Sequence, residues 1–182
     1  LTWRVSTDNG GSPITATVLY TSTDGTNWTA GASVAPSVLT YTLPAAAPGV
    51  RTYVRLVHLN SVGASMASGS ASLLNPYLPA TAVNNLAGSV ANNLLTVSWT
   101  APSNLGGAPS VAYQVFTSTD GVTWTQRVYT SAIQVSVAAP AKGTTLQVRV
   151  VPNTSAGPGA ATQISVLAPT TVTNAVSSIA VP

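Results

Sequence analysis

Few side chains in this sequence can do acid–base, nucleophilic or metal chemistry. The carboxylates are Asp8, Asp24 and Asp120, with no Glu; His58 is the lone imidazole, Lys142 the lone amine, and Cys is absent. Thiolate catalysis, a Cys-based zinc site and a disulfide framework all need cysteine. A carboxylate pair for glycoside cleavage would have to be drawn from the three Asp. Asp24 and Asp120 each precede a Gly in the same short run, so a turn role accounts for them better than metal binding. Asp8 lies in a Gly-rich loop before Pro13 and reads as a loop hydrogen-bonder. His58 alternates with Val54 and Leu56 and has no acidic neighbour, which reads as a packed, hydrogen-bonded histidine. Only a hydroxyl or Lys142 remains as a nucleophile. The expectation is a protein that is not an enzyme and binds no cofactor or metal.

The charge pattern excludes further classes. Charged residues are 5% of the chain, against about 25% in an ordinary domain. The net charge of +3 comes from six scattered cations, not the clustered basic face that phosphate neutralisation requires. Nucleic acid is therefore not an expected partner. No apolar run approaches the roughly 18 residues of a membrane span, so no membrane insertion is expected. Trp28 and Trp124 could offer a sugar-stacking platform and hence a glycan contact; cross-strand packing is the favoured alternative. Asn27-Trp28-Thr29 and Asn153-Thr154-Ser155 satisfy the N-glycosylation pattern.

These residues must be placed by the surrounding elements, and self-comparison identifies them. Residues 1–29 align without gaps on 97–125: Trp3 on Trp99, Gly10-Gly11 on Gly106-Gly107, Pro13 on Pro109, Trp28 on Trp124. Thr21-Ser22-Thr23-Asp24-Gly25 repeats as Thr117-Ser118-Thr119-Asp120-Gly121. Later the offset falls to 94, pairing Arg55 with Arg149 and Gly63 with Gly157. A period near 95 residues means two copies of one domain. Residues 15–22 and 112–118 are β-rich and end at Asp-Gly, a hairpin signal. Residues 52–60 and 146–151 alternate with period two, Val54, Leu56 and His58 opposing Tyr53, Arg55 and Val57. No capped amphipathic helix is present, and the Ala-rich stretch from Pro44 to Pro48 reads as a loop. The predicted fold is all-β: two tandem immunoglobulin-like sandwiches joined at Leu78-Pro79-Ala80.

The order of strand Trp, Gly-Gly-x-Pro loop, Thr-Ser-Thr-Asp-Gly hairpin, then Val-Arg-Leu or Val-Arg-Val and a late Ser-x-Gly or Ser-Ala-Gly loop resembles fibronectin type III domains. The resemblance is to the bacterial secreted and cell-surface type and covers nearly the whole chain. It implies that Trp3 and Trp99 sit in strand B inside the core, and that 52–60 and 146–151 are strand F. The family's strand-F Tyr position holds Thr52 in copy one and Leu146 in copy two. No Arg-Gly-Asp tripeptide supports integrin binding.

The copies differ at their beginnings. Copy two has residues 79–96 ahead of the point equivalent to Leu1, which in the family hold strand A; copy one has no counterpart. The chain end resembles the piece in question: 170–180 lies on 81–91, with identities at Val172, Asn174, Ser178 and Ala180 and Ile179 on Val90. The expected organisation is residues 1–77, a domain lacking strand A; 78–168, a complete domain; and 169–182, a candidate donor strand. Val172, Asn174, Val176 and Ile179 form the donor set, and Trp3 and Val5 line the acceptor. Fifteen extended residues reach at most about 50 Å, less than the roughly 60–70 Å between far poles of two end-to-end sandwiches. Donation to another copy is thus favoured over self-completion. The expected function is a non-catalytic extracellular filament subunit joined head-to-tail to copies of itself. The alternative is a spacer or adhesion segment of a larger secreted, carbohydrate-associated protein.

Overall fold

The computed structural model describes residues 1–170 of the chain. The chain divides into two compact units, Leu1–Tyr77 and Leu78–Pro182. Unit 1 contains β1 (Ile14–Ser22), β2 (Thr29–Val34), β3 (Arg51–Asn60) and β4 (Ala71–Leu74). Unit 2 contains β5 (Asn84–Ala91), β6 (Leu94–Thr100), β7 (Ala112–Ser118), β8 (Thr125–Thr130), β9 (Gln134–Ala138), β10 (Thr145–Thr154), β11 (Gly157–Pro158) and β12 (Thr162–Leu167). No helix occurs among the described residues, and residues 44–48 form a loop.

Unit 2 is a two-sheet sandwich. One sheet has the order β5-β6-β9; the other runs β8-β7-β10, with β12 and β11 also paired to β10. All pairings are antiparallel. Period-two alternation explains the layering, because successive side chains point to opposite faces. In β6, Leu95, Val97 and Trp99 are buried; in β10, Leu146, Val148, Val150 and Pro152 are. These meet Val115 and Tyr113 of β7 and Val83 and Val166 in one apolar cluster. Each such aliphatic side chain contributes about 1.5–3 kcal/mol when fully buried. Trp99 and Tyr113 meet edge-to-face, centroids 5.2 Å apart at 68°, a favoured aromatic arrangement. Burial pushes the Tyr113 hydroxyl above its ordinary range.

Unit 1 repeats only one of these sheets in full, in the order β2-β1-β3-β4. Of the other sheet it keeps a remnant. Thr2 bridges Thr40, the Trp3 N–H donates to the Leu39 carbonyl at 3.1 Å, and the Tyr41 N–H donates to Leu1 at 3.0 Å. The same contacts in unit 2 are Ser98 opposite Gln134 and the Trp99 N–H on Ile133 at 3.0 Å. Leu1–Arg4 are thus the end of strand B in the same register, and no strand among the described residues lies on their other side. Trp99 is a core residue of β6, whereas Trp3 is half-buried and outside any named strand. The implied core position for Trp3 is corrected accordingly: among the described residues no strand covers it as β5 covers β6 in unit 2.

Candidate functional site

What β5 covers in unit 2 defines what is uncovered in unit 1. In unit 2, β5 pairs with β6 and packs against β12. Val83, Leu86 and Val90 face the core, and Gly88 sits between β6 and β12 with Val166, Ile164 and Leu95 around it. The segment before β5 is bonded down as well. The Leu78 N–H donates to Gly106, the Thr81 N–H to Asn104, and Ala160 donates to Ala80. Leu78-Pro79-Ala80 is therefore attached to unit 2 through its backbone.

In unit 1 the same surfaces form an open groove of about 770 Å³. Its walls come from the remnant strand (Leu1, Trp3), the inner face of β3 (Val54, Leu56, His58) and the loop at Gly10. Leu1 is 41% exposed, while its counterpart Val97 is fully buried. Leu73 pairs with Thr52 as Val166 pairs with Leu146; Leu73 is 71% exposed and Val166 only 8%. Gly10 repeats the positive φ of Gly106, but a Cβ there would meet only Asn60 at 3.7 Å, whereas on Gly106 it would strike the Leu78 carbonyl oxygen. Trp3 lines the groove; Val5, 51% exposed, is not among its lining residues.

Polar groups shape one end of it. The Thr17 hydroxyl lies 2.9 Å from His58 Nδ1, where unit 2 has Tyr113 opposite Pro152. Thr17 stands at the position of Tyr113, and both are fully buried. Along β3, the N–H groups of Leu56 and His58 donate to Ser68 and Ser65 hydroxyls at 2.9 and 3.0 Å. These serines satisfy a strand edge that in unit 2 is bonded by β12 and β11. The donor set Val172, Asn174, Val176 and Ile179 lies outside the described residues. Its alignment partners are described: Val83 is buried and Val90 faces the core, but Ala87, opposite Val176, is exposed. Asn85, the partner of Asn174, has φ +51° at a β-bulge, a conformation Asn tolerates better than most residues. Sequence reading missed Ala71 as a groove residue. Aligning β4 on β12 through the strand-F alternation was the signal that could have found it.

The remaining candidates resolve into structural roles. Trp28 lies 4.3 Å from the Arg55 guanidinium and Trp124 4.0 Å from that of Arg149. The same cations face Tyr20 and Phe116 at 5.7 and 5.5 Å. An Arg between two rings is a cation–π arrangement, and it covers one face of each Trp ring. Asp24 Oδ1 accepts from the Ser22 hydroxyl and from the Thr26 and Asn27 N–H groups, each at 2.8 Å. Asp120 accepts from Ser118, Val122 and Thr123 in the same way. These donors, the Asn27 and Thr123 backbone first, hold both carboxyls well below the usual range. Asp8 accepts from the Gly10 N–H at 2.9 Å. Among the described residues no three His, Cys, Asp or Glu gather around a metal position, and no helix is long and apolar enough to cross a membrane.

Comparison with protein-family models finds no match, and comparison with curated proteins finds none. Solved structures do match. The rat CD45 extracellular region, domains d3-d4, has a TM-score of 0.57 at 14% identity, covering 72% of this chain and 71% of that one. The chicken CNTN1 FN1-FN3 domains match with a TM-score of 0.48 at 17% identity, covering 89% of this chain, which spans 59% of theirs. The Caenorhabditis elegans twitchin kinase region matches with 0.46 at 14% identity, over 50% of this chain and 17% of that one. Strand order and the CD45 likeness together give the fold as tandem β-sandwiches.

Proposed function

We propose that this chain is a non-catalytic extracellular structural protein whose copies join by strand donation, residues 169–182 of one occupying the groove of unit 1 in the next. One observation carries the reading: the residues that β5 covers in unit 2 have counterparts in unit 1 that line an uncovered groove, and the tail aligns with β5. An incoming strand adds backbone hydrogen bonds at an unpaired edge and fills pockets with alternate side chains. Here Leu1–Arg4 offer the edge. At the alignment register, 173–177 lie opposite Arg4 to Leu1 as 84–88 lie opposite Thr100 to Val97. The groove belongs to unit 1 and the tail follows unit 2, so the contact is heterologous and propagates unless it closes on itself. An extracellular setting fits a fold shared with the CD45 extracellular region.

The test is electron microscopy and sedimentation of residues 1–182 and of the same chain lacking 169–182. Filaments or rings from the first that are absent from the second are expected. Monomers in both would sink strand donation and leave the spacer or adhesion reading in its place.

A further inference from the structure

The seam between β5 and β12 is built around a missing side chain. A Cβ on Gly88 would lie 2.7 Å from Val166 Cγ2 and 3.2 Å from Ile164 Cδ1, inside the ordinary carbon contact of about 3.5–4.0 Å. No φ in the left-handed region accompanies it, so close approach alone demands glycine there. The tail has a different residue at this point. Ser177 aligns with Gly88 between the identities at Asn174 and Ser178.

The receiving side changes in the opposite sense. Val148 pairs with Ile164 in unit 2, and the equivalent Val54 pairs with Ala71 in unit 1. Of the two side chains that crowd Gly88, the second nearest, Ile164, is thus reduced to a methyl group. Val166 becomes Leu73, whose unbranched Cβ allows its bulk to rotate aside where the β-branched valine is stiff. Thr52 replaces Leu146 opposite it.

Resting on the strand-donation reading, we infer that Ser177 and Ala71 are a size-matched pair that seats the tail in unit 1 of a second copy. Ser177 by itself bars the tail from the β5 position of unit 2, where it would collide with Val166 and Ile164. Discrimination by a built-in clash is how related binding sites are kept apart. Without it, the tail could displace β5 and tie chains together through the wrong unit.

The test compares full-length wild type with Ala71→Ile, Ser177→Gly, the double variant and Ser177→Leu, reading the concentration at half-assembly by sedimentation. Overpacking of this kind raises that concentration about tenfold or more in Ala71→Ile, and the double variant returns to within about threefold of wild type. Ser177→Leu lies outside the described strands and is expected to weaken assembly at least as much, whatever Ala71→Ile does to folding. A silent Ser177→Leu, or a double variant as weak as a well-folded Ala71→Ile, overturns the pairing while loss of assembly on removing 169–182 leaves donation standing. A wild-type chain that never assembles overturns both.

Discussion

Gly88→Ala asks one added methyl group to fit where β5, β6 and β12 converge. Its Cβ would stand 2.7 Å from Val166 Cγ2, 3.2 Å from Ile164 Cδ1 and 3.4 Å from Leu95 Cδ1. The first distance is short of ordinary contact by about 0.8 Å. Val166 is branched at Cβ and 8% exposed, so most of the strain falls there, and Ile164 must also give by a few tenths of an ångström. Overpacking costs about 1–3 kcal/mol. Against it stands a gain of about 0.4–1 kcal/mol from restricting the unfolded chain, since the backbone here suits any residue. The clash wins, and a net loss of about 1–2 kcal/mol in unit 2 is expected.

Urea unfolding in a Trp3→Phe/Trp28→Phe background isolates unit 2, because Trp99 and Trp124 then supply all the indole fluorescence. Val166→Ala alone removes two methyl groups and costs about 2 kcal/mol. Combined with Gly88→Ala it removes the clashing atom, so the double variant should match Val166→Ala within about 0.5 kcal/mol. Coupling of at least about 1 kcal/mol is therefore expected for residues in contact. A Gly88→Ala chain as stable as its parent, or strictly additive effects, would refute the reading of this seam and of the Ser177 argument built on it.

Two further outcomes are expected. Gly106→Ala and Gly10→Ala both place Cβ on a positive-φ backbone, costing about 1–2 kcal/mol each. Only at Gly106 does the methyl also strike Leu78, so urea titration should show the unit 2 loss exceeding the unit 1 loss by at least about 1 kcal/mol; equal losses would mean that 78–80 does not rest on that loop. Asp120 and Asp24 have carboxyls lowered in the folded state, so their stabilisation is whole above about pH 4, the unfolded value, and is lost as pH falls through the lower folded value. Urea midpoints measured from pH 5 to pH 2 should therefore fall less steeply for Asp24→Asn/Asp120→Asn than for wild type; parallel curves would contradict the carboxylate role.

Much of the fold was legible because its signals are local. Ser-Thr-Asp-Gly specifies its own turn: the Ser hydroxyl accepts from the Asp and Gly N–H groups, and the carboxylate accepts from the next two. Gly25 and Gly121 take φ +76°. Alternation in β10 and β3 is equally local. The groove was harder to read, because facing depends on a bulge. Register shifts between Asn84 and Ala87, so Leu86 and Gly88 face inward and Ala87, which aligns with Val176, faces out, contrary to simple alternation from Val83. Arg55 and Arg149 were visible as a repeated pair, yet stacking on Trp28 and Trp124 depends on three strands meeting across one sheet.

The two copies depart from each other in a spatially organised way. Their turns and Arg–Trp stacks repeat, and these lie where each unit is self-sufficient. Their differences include the inner face: Tyr113 becomes Thr17, Pro152 becomes His58, Ile164 becomes Ala71 and Val166 becomes Leu73. Three of these four unit 2 residues are buried at 8% exposure or less, and Ile164 packs against the same core. A covering strand with the side chains of β5 would leave a gap over Ala71, and cavities of that kind cost stability in proportion to their volume. The inner face of unit 1 is therefore shaped for a cover different from β5. Ser177 for Gly88 and Ile179 for Val90 enlarge the tail at two inward positions while Ala175 for Leu86 trims it at a third, so the tail differs from β5 in shape rather than in bulk alone.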